Sequence, residues 1–224
     1  MTSTQTTPPH GAAKDSQQHQ SDKPVKPRSL TPLVMVLLLS LAPVLGAVLV
    51  YFNPEWHPSG SVNYGALVEP QRPMPAAQAL ELKTLDGKPF DLQSLKGKWL
   101  LATADGAACP ESCAKKLFIL RNSHASQGKN VERVNRIWFI TDDAVVPDNV
   151  LEAYKGTIMV RAKPEQLANF LTTQGIGPDG KPALQDPMWI IDPLGNLILQ
   201  YPVDAEPLRF RKDLSRLIYN SRIG

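Results

Sequence analysis

Residues 30–52, LTPLVMVLLLSLAPVLGAVLVYF, contain no charged side chain. A helix rises about 1.5 Å per residue, so this run spans roughly 35 Å, enough for a bilayer core of about 30 Å. A globular helix of this length would show a polar stripe, whereas here only Ser40 and the boundary Thr31 interrupt the apolar run. Pro43 is compatible with a transmembrane helix, where neighbouring groups re-satisfy the freed backbone. A cleaved signal peptide has a shorter apolar region, about 7–15 residues, ending in small side chains. This one ends in Leu49, Val50, Tyr51 and Phe52. The stretch therefore predicts an uncleaved signal anchor. Lys14, Lys23, Lys26 and Arg28 precede it, and the first Lys or Arg after it is Arg72. The positive-inside rule then predicts a cytoplasmic N-terminus and an exported C-terminal bulk. With no Arg-rich presequence, the expected setting is a single-pass protein of a bacterial inner membrane, its main domain periplasmic.

The 224 residues carry 24 Lys and Arg against 21 Asp and Glu, a formal charge of +3. Much of that imbalance is the orienting N-terminus, and no basic patch suggests nucleic acid as a partner. Residues 1–29 are rich in Thr, Gln, Ser and Pro and predict a disordered cytoplasmic tail. Residues 53–77 hold Pro54, Pro58, Pro70, Pro73 and Pro75 with Gly60 and Gly65, which predicts a semi-extended linker. Residues 78–224 are long enough for one domain with its own core.

Within that domain strands and helices alternate. Strands are expected at 79–84, 89–92, 99–104, 136–141, 157–161, 188–191 and 197–201. Helices are expected at 110–124, 150–154, 164–173 and 206–220, the last with Leu208, Phe210, Leu214, Leu217 and Ile218 mostly on one face. Such alternation, closed by a hairpin and a helix, predicts an α/β sheet covered on both faces. Trp99, Trp138 and Trp189 fall on the buried strands. Asp142-Asp143 reads as a solvated strand end, and Gly175–Gly180 as a loop.

The only two cysteines stand as Cys109-Pro110-Glu111-Ser112-Cys113 between a strand and a helix. Pro110 suits the first position of a helix, which makes Cys109 the expected N-cap and puts Cys113 one turn along. The positive end of the helix would make Cys109 the more reactive thiolate. Positions i and i+4 of a helix hold Cβ atoms about 5–6 Å apart. A disulfide needs about 3.5–4.5 Å, so bridging depends on Cys109 lying at the flexible edge. A soft ion between two sulfurs tolerates a wider gap. The pair is thus a structural disulfide, a redox dithiol or a soft-metal site.

Four segments resemble the Sco/SenC family of membrane-anchored thioredoxin-like proteins: DGKPFDLQSLKGKWLL, the CPESC motif, RIWFITDD, and MWIIDPLGNLILQYP before the last helix. The likeness covers roughly residues 78–220. It implies a thioredoxin-like α/β domain that helps assemble the binuclear copper site of cytochrome c oxidase. It also implies that Cys109 and Cys113 ligate copper or form a disulfide, with oxidase subunits or assembly factors as partners.

The chain departs from the family pattern where the third copper ligand, a histidine, would stand: that position is Leu184, with Gln185 beside it. The histidines are His10, His19, His57 and His124, none at that place. The family's proline after the second cysteine is Ala114, and its acidic, Arg-containing segment is reduced to Asp142–Pro147. Met188 is a candidate substitute ligand, since a thioether suits Cu(I). Pro187 is a candidate cis-proline of the kind thioredoxin-like oxidoreductases place beside the dithiol. Three functions follow: a Sco-like assembly factor using the dithiol for copper handling or thiol reduction, a general periplasmic thiol–disulfide oxidoreductase, and a non-catalytic scaffold.

Overall fold

A computed structural model describes residues 29–53, 56, 63–171 and 184–223. The expectations for residues 1–28, His57 and Gly175–Gly180 lie outside them. The chain divides into two units, residues 1–60 and 61–224.

In the first unit, helix α1 runs from Thr31 to Phe52, with a proline in its first turn and Pro43 inside it. None of its side chains is buried, and it is long and apolar enough to cross a membrane. The Asn53 side chain closes its end by donating to the Leu49 carbonyl at 2.7 Å.

The second unit is built on eight strands. They are β1 (Ala66–Pro73), β2 (Leu82–Thr84), β3 (Pro89–Phe90), β4 (Trp99–Asp105), β5 (Val134–Ile140), β6 (Ile158–Ala162), β7 (Met188–Ile191) and β8 (Asn196–Tyr201). Four helices accompany them: α2 (Glu111–Ala125), α3 (Asp148–Ala153), α4 (Pro164–Leu171) and α5 (Pro207–Asn220). The sheet order is β1-β8-β7-β4-β5-β6-β2-β3. β4, β5 and β6 run parallel, and every other pairing is antiparallel.

This arrangement follows from the side chains. All seven residues of β4 are buried, as befits a central strand covered on both faces. Leu100, Ala102 and Ala104 point to the face covered by α4 through Leu167, Phe170 and Leu171. Trp99 and Leu101 point to the other, where α2 and α5 pack Ile119, Leu120, Phe210, Leu214 and Ile218. α4 begins at Pro164, where a missing N–H costs nothing. The β7–β8 turn is fixed by the Asn196 N–H on the Asp192 carboxylate at 2.7 Å, with Gly195 at φ 91°.

One expectation is corrected. Residues 66–73, inside the expected linker, form β1, an edge strand paired with β8. Its prolines hid it. Pro70 and Pro73 are tolerated because an edge strand leaves half its N–H groups outside the ladder, and the pairing shifts register between Leu67 and Arg72. Other elements lie within a few residues of expectation: β2 starts at Leu82 rather than 79, β5 at Val134 rather than 136.

Candidate functional site: a cysteine pair at the end of the central strand

β4 delivers the chain to the site. After Asp105 it turns through Gly106 and Ala107, and the Cys109 N–H donates to the Gly106 carbonyl at 3.1 Å. Cys109 then takes φ 43°, in the left-handed region that non-glycine residues avoid. That reversal aims its side chain back at the first turn of α2, where Cys113 lies. The two form a disulfide with Cα atoms 5.0 Å apart.

The helix starts one residue later than expected. Pro110, not Cys109, is its N-cap, and Cys109 lies just outside. The physical reason is that Pro110 keeps extended backbone, φ −61° and ψ 176°, so it flanks the helix and Glu111 is the first helical residue. Glu111 in the first turn complements the positive end of α2.

The pair sits at one end of the α2 face, against Ala107, Leu117, Trp138, Ile140 and Val146. Cys113 has no exposure, and Cys109 keeps 9%. The Tyr154 hydroxyl donates to the Ala114 carbonyl at 2.9 Å, fastening the first turn of α2 to the end of α3.

Two polar groups that sequence reasoning missed organise the surroundings. Lys116, three residues past Cys113, is completely buried. Its ammonium donates to the Ala104 carbonyl at 3.0 Å and to the Gln185 carbonyl. It also lies 3.1 Å from Asp105 Oδ2, an ion pair without hydrogen-bond alignment. Burial pushes its pKa below the ordinary lysine value, with Asp105 pulling the other way. In sequence, Lys115-Lys116 looks like a solvated helix face; only the i+3 spacing from Cys113 hints otherwise.

Asp142, expected as a solvated strand end, instead grips the cysteine loop. Its two carboxylate oxygens accept the Ala107 N–H at 3.1 and 3.2 Å, and Oδ1 also accepts the Ala144 N–H at 3.2 Å. Arg161, at the end of β6, donates to the carbonyls of Asp142 (2.6 Å) and Ala144 (2.9 Å). A Cβ at Gly106 would stand 2.6 Å from Asp142 Oδ2, so the close approach requires glycine.

Leu184 and Met188 pack in other clusters than the cysteines. Leu184, at the position of the family's histidine, is buried on the α4 face, opposite the pair. Met188 has no exposure and packs with Tyr201 and Phe210 as a core residue. The peptide bond before Pro187 is trans, so Pro187 serves as an ordinary strand-start proline; the one cis bond among the described residues is Glu69–Pro70. His124 lies in the last turn of α2. Among the described residues no group of three or more His, Cys, Asp or Glu could hold a metal ion. With the two sulfurs bonded to each other, neither is a thiolate that could ligate copper; only the reduced pair offers soft donors.

His124 carries a pH prediction. Burial, then the Arg136 guanidinium, push it below its ordinary value of 6.5. The folded protein thus binds this proton less readily than the unfolded chain. The stability from neutral His124 is full above 6.5 and is lost as pH falls from there through the folded value. Melting measured at pH 7.5 and near pH 5 should show a smaller acid loss in His124→Gln than in the natural chain.

The fold has known counterparts. Yeast Sco1 superposes with a TM-score of 0.51 at 13% identity, covering 69% of this chain and 98% of that one. Arabidopsis thaliana ScoI with copper bound gives 0.50 at 18% identity, covering 70% and 99%. An electron transfer protein described as putative, from Aquifex aeolicus, gives 0.50 at 21% identity, covering 67% and 95%. These likenesses establish a shared thioredoxin-like fold. No curated protein matches the sequence. The family described as transmembrane-like, thioredoxin-like, C-terminal domain matches residues 99–221, more than half of the chain and all of the cysteine site. The chain belongs to that family of thioredoxin-like domains.

Proposed function

We propose that this is a membrane-tethered dithiol protein of the Sco/SenC kind, which assists cytochrome c oxidase assembly by exchanging thiols with cysteines of an oxidase subunit or assembly factor. The observation that carries this reading is the cysteine pair itself: bonded, at a strand-to-helix junction, with Cys113 sealed and Cys109 at the edge. The family likeness and the apolar helix support it. In this reading α1 is a signal anchor, residues 1–29 are cytoplasmic, and the thioredoxin-like domain is periplasmic.

The exchange is a two-step displacement. The reduced Cys109 thiolate attacks a disulfide sulfur of the target, forming a mixed disulfide and expelling one target thiolate. The Cys113 thiolate then attacks the Cys109 sulfur and expels the second. The target leaves with two electrons, and this chain keeps the Cys109–Cys113 disulfide. A second dithiol donor returns the pair to the reduced state.

The test uses the full chain in detergent, reduced, mixed with a peptide whose two cysteines are disulfide-bonded. Cys113→Ser should accumulate a mixed disulfide through Cys109, and Cys109→Ser should accumulate none. Equal trapping by both variants, or a natural chain that thiol reductants cannot open, would overturn the reading. An anaerobic Cu(I) titration against a chelator runs beside it. One-to-one binding lost in the Cys109→Ser/Cys113→Ser variant would add copper as a cargo; no binding above that variant would leave thiol exchange alone.

A further inference from the structure

The cysteine loop is held through its backbone by residues distant in sequence, Asp142 and Arg161. Three observations define it. Cys109 occupies left-handed backbone, which a Cβ disfavours. The loop just before it is pinned by the bifurcated bond from the Ala107 N–H to the Asp142 carboxylate. Asp142 is pinned in turn, because Arg161 draws the carbonyls of residues 142 and 144 toward β6. Gly106 is the clearance that lets carboxylate and loop meet.

Resting on the dithiol reading, we infer that Asp142 and Arg161 form a clamp that sets the reduction potential of the Cys109–Cys113 couple. When the disulfide opens, nothing covalent holds Cys109 in its left-handed conformation, and the loop would relax toward ordinary backbone. Relaxation would carry Ala107 with it and break its bond to Asp142. The clamp therefore opposes the relaxed reduced states and keeps the two thiols close, which raises their effective concentration and favours the disulfide. In this role both act on the loop backbone and are positioning residues.

The balance is simple. Dithiothreitol gives two electrons and two protons, the Cys109–Cys113 bond breaks, two thiols form, and the reagent closes to its cyclic disulfide. Equilibrating the full chain in detergent against reduced and oxidised dithiothreitol reads the constant directly. Asp142→Ala should shift it about tenfold toward the dithiol, equivalent to about 30 mV. Asp142→Asn keeps an acceptor oxygen for Ala107 and should stay near the natural value. Arg161→Gln loosens the clamp from its far side and should shift in the same direction as Asp142→Ala. Gly106→Ala should do likewise by pushing the carboxylate off the loop.

A merely structural role would lower melting temperature without moving this equilibrium. If folded Asp142→Ala and Arg161→Gln both keep the natural constant, the clamp is wrong while the dithiol reading stands. If Asp142→Asn shifts as far as Asp142→Ala, the carboxylate acts by charge and the positioning role is wrong. If the natural chain shows no reversible couple at all, the dithiol reading falls and takes the clamp with it.

Discussion

Replacing Lys116 with alanine is expected to destabilise the thioredoxin-like unit by about 3–5 kcal/mol, because removing one member of a buried ion pair strands the other charge. The stranded group is Asp105, 3% exposed at the end of β4. Two carbonyls lose their donor at once, those of Ala104 and Gln185. The cost should be read from urea unfolding followed by tryptophan fluorescence. The control is Lys116→Met with Asp105→Asn, which removes both charges but keeps an acceptor for the Gly106 N–H that Asp105 Oδ1 now receives at 2.9 Å. This pair should recover most of the loss, since apolar or neutral replacements of a buried ion pair are often near neutral. A loss under about 1 kcal/mol for Lys116→Ala would put the pair among solvated ones and overturn its buried role. Hydrogen exchange should rise at residues 184–187, because Lys116 ties the segment entering β7 to α2.

Asp213→Ala is expected to cost at least about 3 kcal/mol, since each buried donor left unsatisfied costs about 1–3 kcal/mol and this change strands three. One carboxylate oxygen of this buried residue accepts the Tyr64 N–H at 2.7 Å, the Gly65 N–H at 3.0 Å and the Tyr201 hydroxyl at 3.1 Å. Burial, and after it the negative charge of Asp213, push the Tyr201 hydroxyl well above the ordinary tyrosine value, so it remains a donor at any working pH. The hub joins α5, β8 and the residues leading into β1. It also leaves no room at Gly65, where a Cβ would lie 2.5 Å from the Tyr201 ring. Tyr201→Phe removes one donor and should cost about 1.5–3 kcal/mol, the range for hydrogen bonds to charged groups. Asp213→Ala should therefore lose more than Tyr201→Phe, and hydrogen exchange in Asp213→Ala should rise first along β1. Equal losses in the two variants would mean that the backbone bonds of Tyr64 and Gly65 contribute nothing.

The parts of this fold that could be read from sequence are those where apolar pattern decides structure. β4, β5 and β7 are continuous buried runs, α5 has a one-sided apolar face, and the Asp192–Asn196 turn carries its own hydrogen-bonding chemistry. β1 could not be read, because its prolines and charges suit a linker equally well and only the partner strand distinguishes the two. The cysteine pair was visible as a pair, yet its setting was not: the loop before Cys109 is held at Ala107 by Asp142, 35 residues on. Asp142, Lys116 and Asp213 were invisible for a common reason. Each is a charged residue in a charged neighbourhood, and burial by distant elements, not local spacing, gives each its task.

The position of β1 has a mechanical consequence. It is the first strand of its unit and lies at the outer edge of the sheet, with β8 and β7 between it and β4. Any pull arriving along the chain from the N-terminal side is borne first by the β1–β8 ladder and by the Tyr64 and Gly65 amides on Asp213. These can give way one hydrogen bond at a time while β4, which leads into the cysteine loop, stays seated. The edge strand is a strain relief, and the disulfide is wired to the far side of it.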